Sequence, residues 1–181
     1  MIILGIDPGT RRVGYGVVKK TGPRSEFLAA GLLDIKISRS QAAASRMPSR
    51  NPHANSDKGA DEYSALLQIK KGVQGLIRRY KPEVLSIEKL FFGKNQKTGM
   101  EVSQARGVIL LCAAEQGLRI FEYTPIQVKS AIGGYGMADK RGVAKMVRLF
   151  LNTPKLDIID DATDALAIAL TAAHNLALSR G

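Results

Sequence analysis

The first 37 residues consist of short apolar or alternating stretches separated by turn residues. The pattern predicts three strands, Ile2–Asp7, Val13–Lys19 and Glu26–Ile37. The breaks between them, Pro8–Arg11 and Thr21–Pro23, are short, and breaks of this length favour antiparallel hairpins. The chain is therefore expected to open with a three-stranded antiparallel unit.

Helical and strand-like patterns alternate in the rest of the chain. Residues Ser38–Gly59 have no period and predict a loop, and the stretch at about 39–61 is expected to be a flexible insertion or loop. Helical spacing and short apolar runs then predict, in order, helix Ala60–Tyr80, strand Val84–Glu88, helix Glu101–Gln116, strand Arg119–Tyr123, helix Pro125–Ile132, helix Lys140–Leu151 and a last helix over about 159–179. This order predicts one α/β domain over 1–181, with a mixed five-stranded sheet and helices on both faces.

Composition indicates a globular protein with a polyanionic partner. The 181 residues include 27 Lys and Arg against 16 Asp and Glu, a net charge of +11, and 45% are hydrophobic. So large a basic excess on one domain favours nucleic acid as the partner, and the length excludes two-lobed enzymes. With no apolar run of membrane-spanning length and no signal-peptide pattern at the start, we expect a cytoplasmic protein. The single cysteine, Cys112, is expected to be a buried small hydrophobe.

Two acidic residues end predicted strands. Asp7 lies directly before a Pro-Gly-Thr turn, where its carboxylate could bind a hard metal ion or cap the turn. Glu88 ends an apolar strand, where an unpaired carboxylate would be costly to bury. It could bind a cation or pair with a nearby lysine. The local sequence leaves both interpretations open at each position.

Four further acids crowd the start of the last helix. Asp161 and Asp164 are three residues apart and share one helix face, where they repel unless a cation lies between them. The alternative is that acids favour a helix N-terminus, which accounts better for Asp157 and Asp160. Carboxylates from three separate segments of a basic chain point to a two-metal nuclease that hydrolyses phosphodiesters.

Five blocks occur in an order that is typical of one family. They are Gly5–Arg11 with Gly14–Val17, Ile87–Glu88 with Phe91 and Lys94–Asn95, Gln104–Val108, Gln127–Lys129 leading to Gly134–Lys140, and Asp161–Ala169. In these blocks the chain resembles RuvC, the bacterial crossover (Holliday) junction endonucleases. The resemblance covers the chain outside about 39–61. It implies an RNase H-like fold and a homodimer that resolves four-way DNA junctions by paired symmetric nicks in recombination and repair.

The resemblance also assigns residues and partners. It implies that the catalytic and metal-binding carboxylates are Asp7, Glu88, Asp161 and Asp164. They would hold two Mg²⁺ per subunit, with Mn²⁺ able to substitute, and Asp157 and Asp160 would be surface acids. The candidate DNA contacts are Phe91, Lys94, Arg106, Lys129 and Lys140. Among these, Phe91 would stack on a junction base, and Lys129 and Lys140 would lie near the scissile phosphate. The implied protein partners are RuvA and RuvB, the branch-migration complex.

Three other functions are compatible with parts of the sequence. Sugar kinases and actin-like ATPases share the Asp-x-Gly-Thr turn, but they need two lobes and a second glycine-rich loop. A related RNase H-like nuclease of the YqgF type acts on RNA. The third is a non-catalytic junction-binding protein, although such a protein would gain nothing from acids that face phosphate.

Overall fold

A computed structural model of the chain describes residues 1–35, 57–90, 96–134, 139–154, 156 and 159–178. Its elements are β1 (Ile2–Asp7), β2 (Arg12–Thr21), β3 (Arg24–Asp34), α1 (Asp57–Tyr80), β4 (Val84–Glu88), α2 (Gln96–Glu115), β5 (Arg119–Tyr123), α3 (Pro125–Gly133), α4 (Lys140–Phe150) and α5 (Asp160–Leu178). The order of strands and helices is the predicted one.

The strands form one mixed sheet in the order β3-β2-β1-β4-β5. The pairs β1–β2 and β2–β3 are antiparallel, whereas β1–β4 and β4–β5 are parallel. The predicted five-stranded mixed sheet is therefore confirmed. Strands β1 and β4 lie in its interior, and their apolar sequences suit a position that is covered on both faces.

Helices cover both faces of the sheet, as predicted. One apolar layer lies between the sheet and helices α1 and α2, and it includes Leu4, Ile6 and Ile87. The other lies between the sheet and helices α3, α4 and α5. Successive strand residues point to opposite faces, so Asp7 and Glu88, which follow Ile6 and Ile87, point to the face that α5 covers.

Helix α5 lies unusually close to the sheet because small residues lie beneath it. Gly5 of β1 is opposite Gly16 of β2, and a Cβ added at Gly5 would be 2.8 Å from the Ala169 Cβ. The buried Ser86 hydroxyl of β4 donates to the Ile168 carbonyl at 2.7 Å. Together these contacts hold α5 across β2, β1 and β4.

Three predicted boundaries were wrong by three residues or more, and several others by one or two residues. Helix α1 begins at Asp57 rather than Ala60, and α2 begins at Gln96 rather than Glu101. Both first turns are polar, so no apolar period marked them. Strand β3 ends at Asp34, before its predicted end.

The predicted insertion at about 39–61 is described only in part. Residues 57–61 are helical rather than loop, and the others lie outside the described residues. The predicted burial of Cys112 is confirmed. In the described part of the chain, no helix has the length and apolar character needed to cross a membrane.

Candidate active site

The four predicted carboxylates lie at one edge of the sheet. Asp7 and Glu88 are the last residues of β1 and β4, whose parallel pairing brings their carboxyl ends side by side. Asp161 and Asp164 lie in the first turns of α5. Gly14 of β2 is opposite Asp7 and lies directly beneath the Asp161 backbone. The glycine thus allows α5 to bring its acids to the end of β1.

Asp7 is the carboxylate most affected by its surroundings. Its pKa is raised from 3.8 to about 7, first by burial and then by the charges of Glu88, Asp164 and Asp161, in that order. Lys140 acts in the opposite direction. Asp7 thus interacts with all three other acids, and at neutral pH the cluster retains a proton for part of the time.

Two further carboxylates have raised pKa values. Burial is the main cause at Glu88, followed by the charge of Asp164. Burial also raises the pKa of Asp164, although Lys140 lowers it through its charge and a hydrogen bond. Perturbed acids that share a cleft are characteristic of functional sites, since a fold gains no stability from crowding like charges.

Two basic side chains balance the acids on α5. The Arg12 Nε lies 3.1 Å from an Asp161 carboxylate oxygen, and the Lys140 Nζ lies 3.4 Å from Asp164. Lys140 also lies 3.9 Å from the exposed Asp160, which agrees with Asp160 being a surface acid. The sequence analysis missed Arg12. The only indication in the sequence was the position of Arg12 at the start of β2, beside the turn that follows Asp7.

Helix caps hold the two predicted phosphate-binding lysines. The Asp139 carboxylate accepts from the Gly142 N–H at 2.7 Å and starts α4, so that Lys140 is its first residue. A capping box between Thr124 and Gln127 starts α3, which carries Lys129. Both lysines line a cavity of about 190 Å³ whose wall also includes Glu88 and Asp164.

The donor chemistry of this site fits a hard divalent cation. All four acids offer oxygen ligands, which Mg²⁺ and Mn²⁺ prefer, and a cation would relieve their mutual repulsion. In the described ranges, however, no three acidic, histidine or cysteine side chains are arranged to hold a metal ion as they stand. Asp161 and Asp164 face Arg12 and Lys140 instead. A cation bound here would share these two carboxylates with their basic partners or displace those partners.

The remaining predicted contacts are placed differently. Phe91, Lys94 and the acid Asp157 lie outside the described residues. Arg106 is within them, and its guanidinium contacts the Glu88 carbonyl and the Glu122 carboxylate. Arg106 therefore already has two partners within the chain.

A mixed β3-β2-β1-β4-β5 sheet with acids at the ends of β1 and β4 and at the start of a covering helix defines an RNase H-like nuclease. The chain belongs to the crossover junction endodeoxyribonuclease RuvC family, whose sequence model matches residues 3–48 and 55–172. The interruption of the match falls inside the predicted insertion. The resemblance seen in the sequence is thereby confirmed.

Individual relatives agree over nearly the whole chain. A crossover junction endodeoxyribonuclease RuvC of Natranaerobius thermophilus is 42% identical over 170 residues, which are 94% of this chain and 92% of that protein. The Thermus thermophilus RuvC structure matches with a TM-score of 0.78 and 30% identity, covering 99% of this chain and 97% of the other. The same protein in complex with a Holliday junction substrate matches with a TM-score of 0.78 and 29% identity, covering 99% and 96%.

Proposed function

We propose that this protein is a Mg²⁺-dependent endonuclease that resolves four-way DNA junctions by paired symmetric nicks in homologous recombination and repair. The observation that carries the proposal is the meeting of four acids from three separate segments at one sheet edge. Two lysines line the same edge, in a chain whose net charge is +11. The names of the relatives, and the junction bound to one of them, support junction DNA as the substrate.

The four acids would be the metal ligands. Asp7 is the best candidate to face two cations, because it interacts with Glu88, Asp161 and Asp164 alike. When bound, two Mg²⁺ or Mn²⁺ ions supply Lewis-acid chemistry that lowers the barrier to phosphodiester hydrolysis. The four carboxylates would hold the ions, with Asp161 and Asp164 contributed by α5.

The two lysines of the cavity would bind the phosphate next to the scissile bond. Lys140 is 69% exposed and pairs with Asp164, so its ammonium could also contact a bound phosphate. Lys129 approaches from α3 on the cavity wall. Both would stabilise the charge that develops on the phosphate oxygens during hydrolysis. Base stacking by Phe91 and phosphate binding by Lys94 stay predictions from the family.

Paired cuts require two sites, and we assign the dimer contact to an apolar surface on α1 and α2. Tyr63 and Leu67 of α1 are 66% and 55% exposed, and Leu111 of α2 is 54% exposed. A cavity of about 310 Å³ lies on this surface, lined by Tyr63, Leu67, Val108 and neighbouring side chains. Such a surface suits a two-fold contact in which the same residues of both subunits meet.

The dimer contact is tested by Leu67→Glu. We expect sedimentation velocity to change from dimer to monomer, because the contact would have to bury a charge. Cruciform plasmid should then receive single, uncoupled nicks. The matched control is Leu149→Glu, which changes a leucine of α4 that is 68% exposed. A Leu67→Glu protein that remains dimeric would contradict the assignment.

The activity is tested by giving the purified protein a synthetic four-way junction, a linear duplex of the same sequence and an RNA of the same sequence, each with Mg²⁺. We expect two symmetric nicks in the junction and little cutting of the duplex. Equal cutting of both would remove the junction selectivity, and cutting of RNA alone would favour the YqgF-type activity. Binding without cutting would favour a non-catalytic binder.

We also propose, from the family alone, that the protein is located in the cytoplasm and that its partners are RuvA and RuvB.

A further inference from the structure

A largely buried arginine lies on the opposite face of the sheet from the carboxylate cluster. Arg106 of α2 donates from its Nε to the Glu88 carbonyl at 3.2 Å. Its Nη2 forms an ion pair with Glu122 of β5. The Arg106 side chain is only 17% exposed, so it has little surface to offer to DNA. Its charge is also largely balanced by Glu122.

The sheet geometry explains why Glu88 needs this donor. Successive residues of a strand direct their backbone N–H and C=O groups to opposite neighbouring strands. The Lys89 N–H donates to the Tyr123 carbonyl of β5 at 2.8 Å, so the N–H and C=O of Glu88 face β1. The register of β1 and β4, continued by one residue, puts Asp7 opposite Glu88. A parallel ladder would then bring the next N–H of β1 to the Glu88 carbonyl. That residue is Pro8, which has no N–H.

We infer that Arg106 is a positioning residue for Glu88 and not a phosphate contact. It supplies the hydrogen bond that Pro8 cannot donate and so fixes the end of β4, from which the Glu88 carboxylate reaches the site. Glu122 holds the guanidinium in place. Lysine could not replace Arg106 fully, because one ammonium cannot reproduce the two directions of the fork. The inference rests on the proposed function in so far as Glu88 is a metal ligand.

The test is the affinity of the DNA-free protein for Mn²⁺, measured from the electron paramagnetic resonance signal of free Mn²⁺. Arg106→Met should weaken binding by roughly 10-fold or more, as losses of outer-shell partners do. Arg106→Lys and Glu122→Gln should each give an intermediate loss. The matched control is Arg78→Met, which removes an equal charge from an exposed position on α1 and should leave Mn²⁺ affinity unchanged.

Junction affinity in Ca²⁺, measured at several salt concentrations, separates the two roles of Arg106. A positioning residue leaves the affinity and its salt dependence unchanged. A phosphate contact lowers the affinity and reduces the salt slope by about one, with Mn²⁺ affinity unaltered. That second result would overturn the inference, as would wild-type Mn²⁺ affinity in all three variants. If Arg106→Met fails to fold, Arg106→Lys and Glu122→Gln still decide.

Asp7→Asn serves as the reference variant. It should weaken Mn²⁺ binding whether or not the role of Arg106 is right. If Asp7→Asn binds Mn²⁺ as the wild type does, the proposed metal site is wrong. If Asp7→Asn loses affinity and the Arg106 and Glu122 variants do not, only the positioning role is wrong.

Discussion

Replacing Gly14 with alanine should displace Asp161 of α5 from its place beside the end of β1. A Cβ at this position would lie 2.6 Å from the Asp161 carbonyl carbon and closer still to its oxygen. Carbon atoms in contact are normally about 3.5 Å apart. The backbone of Asp161 must therefore move by about 1 Å, and its carboxylate must move with it.

The size of the effect follows from that displacement. A misplacement of about 1 Å in a reacting group can lower a rate by roughly 100-fold. Overpacking of this kind also costs about 1–3 kcal/mol of folding stability. We therefore expect Gly14→Ala to fold with a lowered Tm and to cut junctions about 100-fold more slowly.

The assay is single-turnover junction cleavage with protein in excess, together with Tm by circular dichroism. The matched control is Gly75→Ala on α1, where an added Cβ meets nothing within 4 Å. Alanine in a helix interior should stabilise this variant by about 0.5–1 kcal/mol with no loss of cutting. A Gly14→Ala protein with wild-type Tm and wild-type cleavage would refute the close-approach argument.

Two further predictions concern the acid cluster and the anchoring of α5. Because the pKa of Asp7 is raised to about 7, its ionisation destabilises the metal-free fold, and stability should fall as pH rises from about 4 to 7. In EDTA, Asp7→Asn should therefore raise the free energy of unfolding by at least about 1 kcal/mol at pH 8 and leave it unchanged at pH 4. Adding Mg²⁺ should raise the Tm of the wild type more than that of Asp7→Asn. An equal Tm difference at both pH values would count against this. Ser86→Ala should lower the free energy of unfolding in urea by about 1 kcal/mol, because it removes the buried hydrogen bond to the Ile168 carbonyl. Ser130→Ala, at an exposed position, should change that free energy little. Equal losses in the two variants would contradict this prediction.

Strand ends were the most predictable part of the site. The bounds of β1, β4 and β5 follow from apolar runs, and the period of two places Asp7 and Glu88 on one face once their strands are adjacent. That adjacency depends on sheet order, which strand patterns alone leave open. The three-residue spacing of Asp161 and Asp164 likewise predicts a shared helix face.

Contacts between distant segments could not be predicted in the same way. The pair of Arg12 and Asp161 exists because β2 passes beneath the start of α5, and no local pattern encodes that crossing. Arg106 was predicted as a phosphate contact from its charge and block. Its bond to the Glu88 carbonyl depends on a proline in a third segment. Local sequence thus indicated which residues matter and could not indicate which of them touch.

The central claim is that the carboxylate cluster performs the cutting and does not hold the DNA. It is tested most directly by comparing Asp164→Asn with Asp160→Asn on one labelled four-way junction, with cleavage measured in Mg²⁺ and binding in Ca²⁺. Asp160 is an exposed neighbour that contacts the same lysine and is a matched control. We predict that Asp164→Asn loses at least about 100-fold in cleavage with junction affinity retained, and that Asp160→Asn cuts normally. Wild-type cleavage by Asp164→Asn, or loss of binding together with cleavage, would contradict the account.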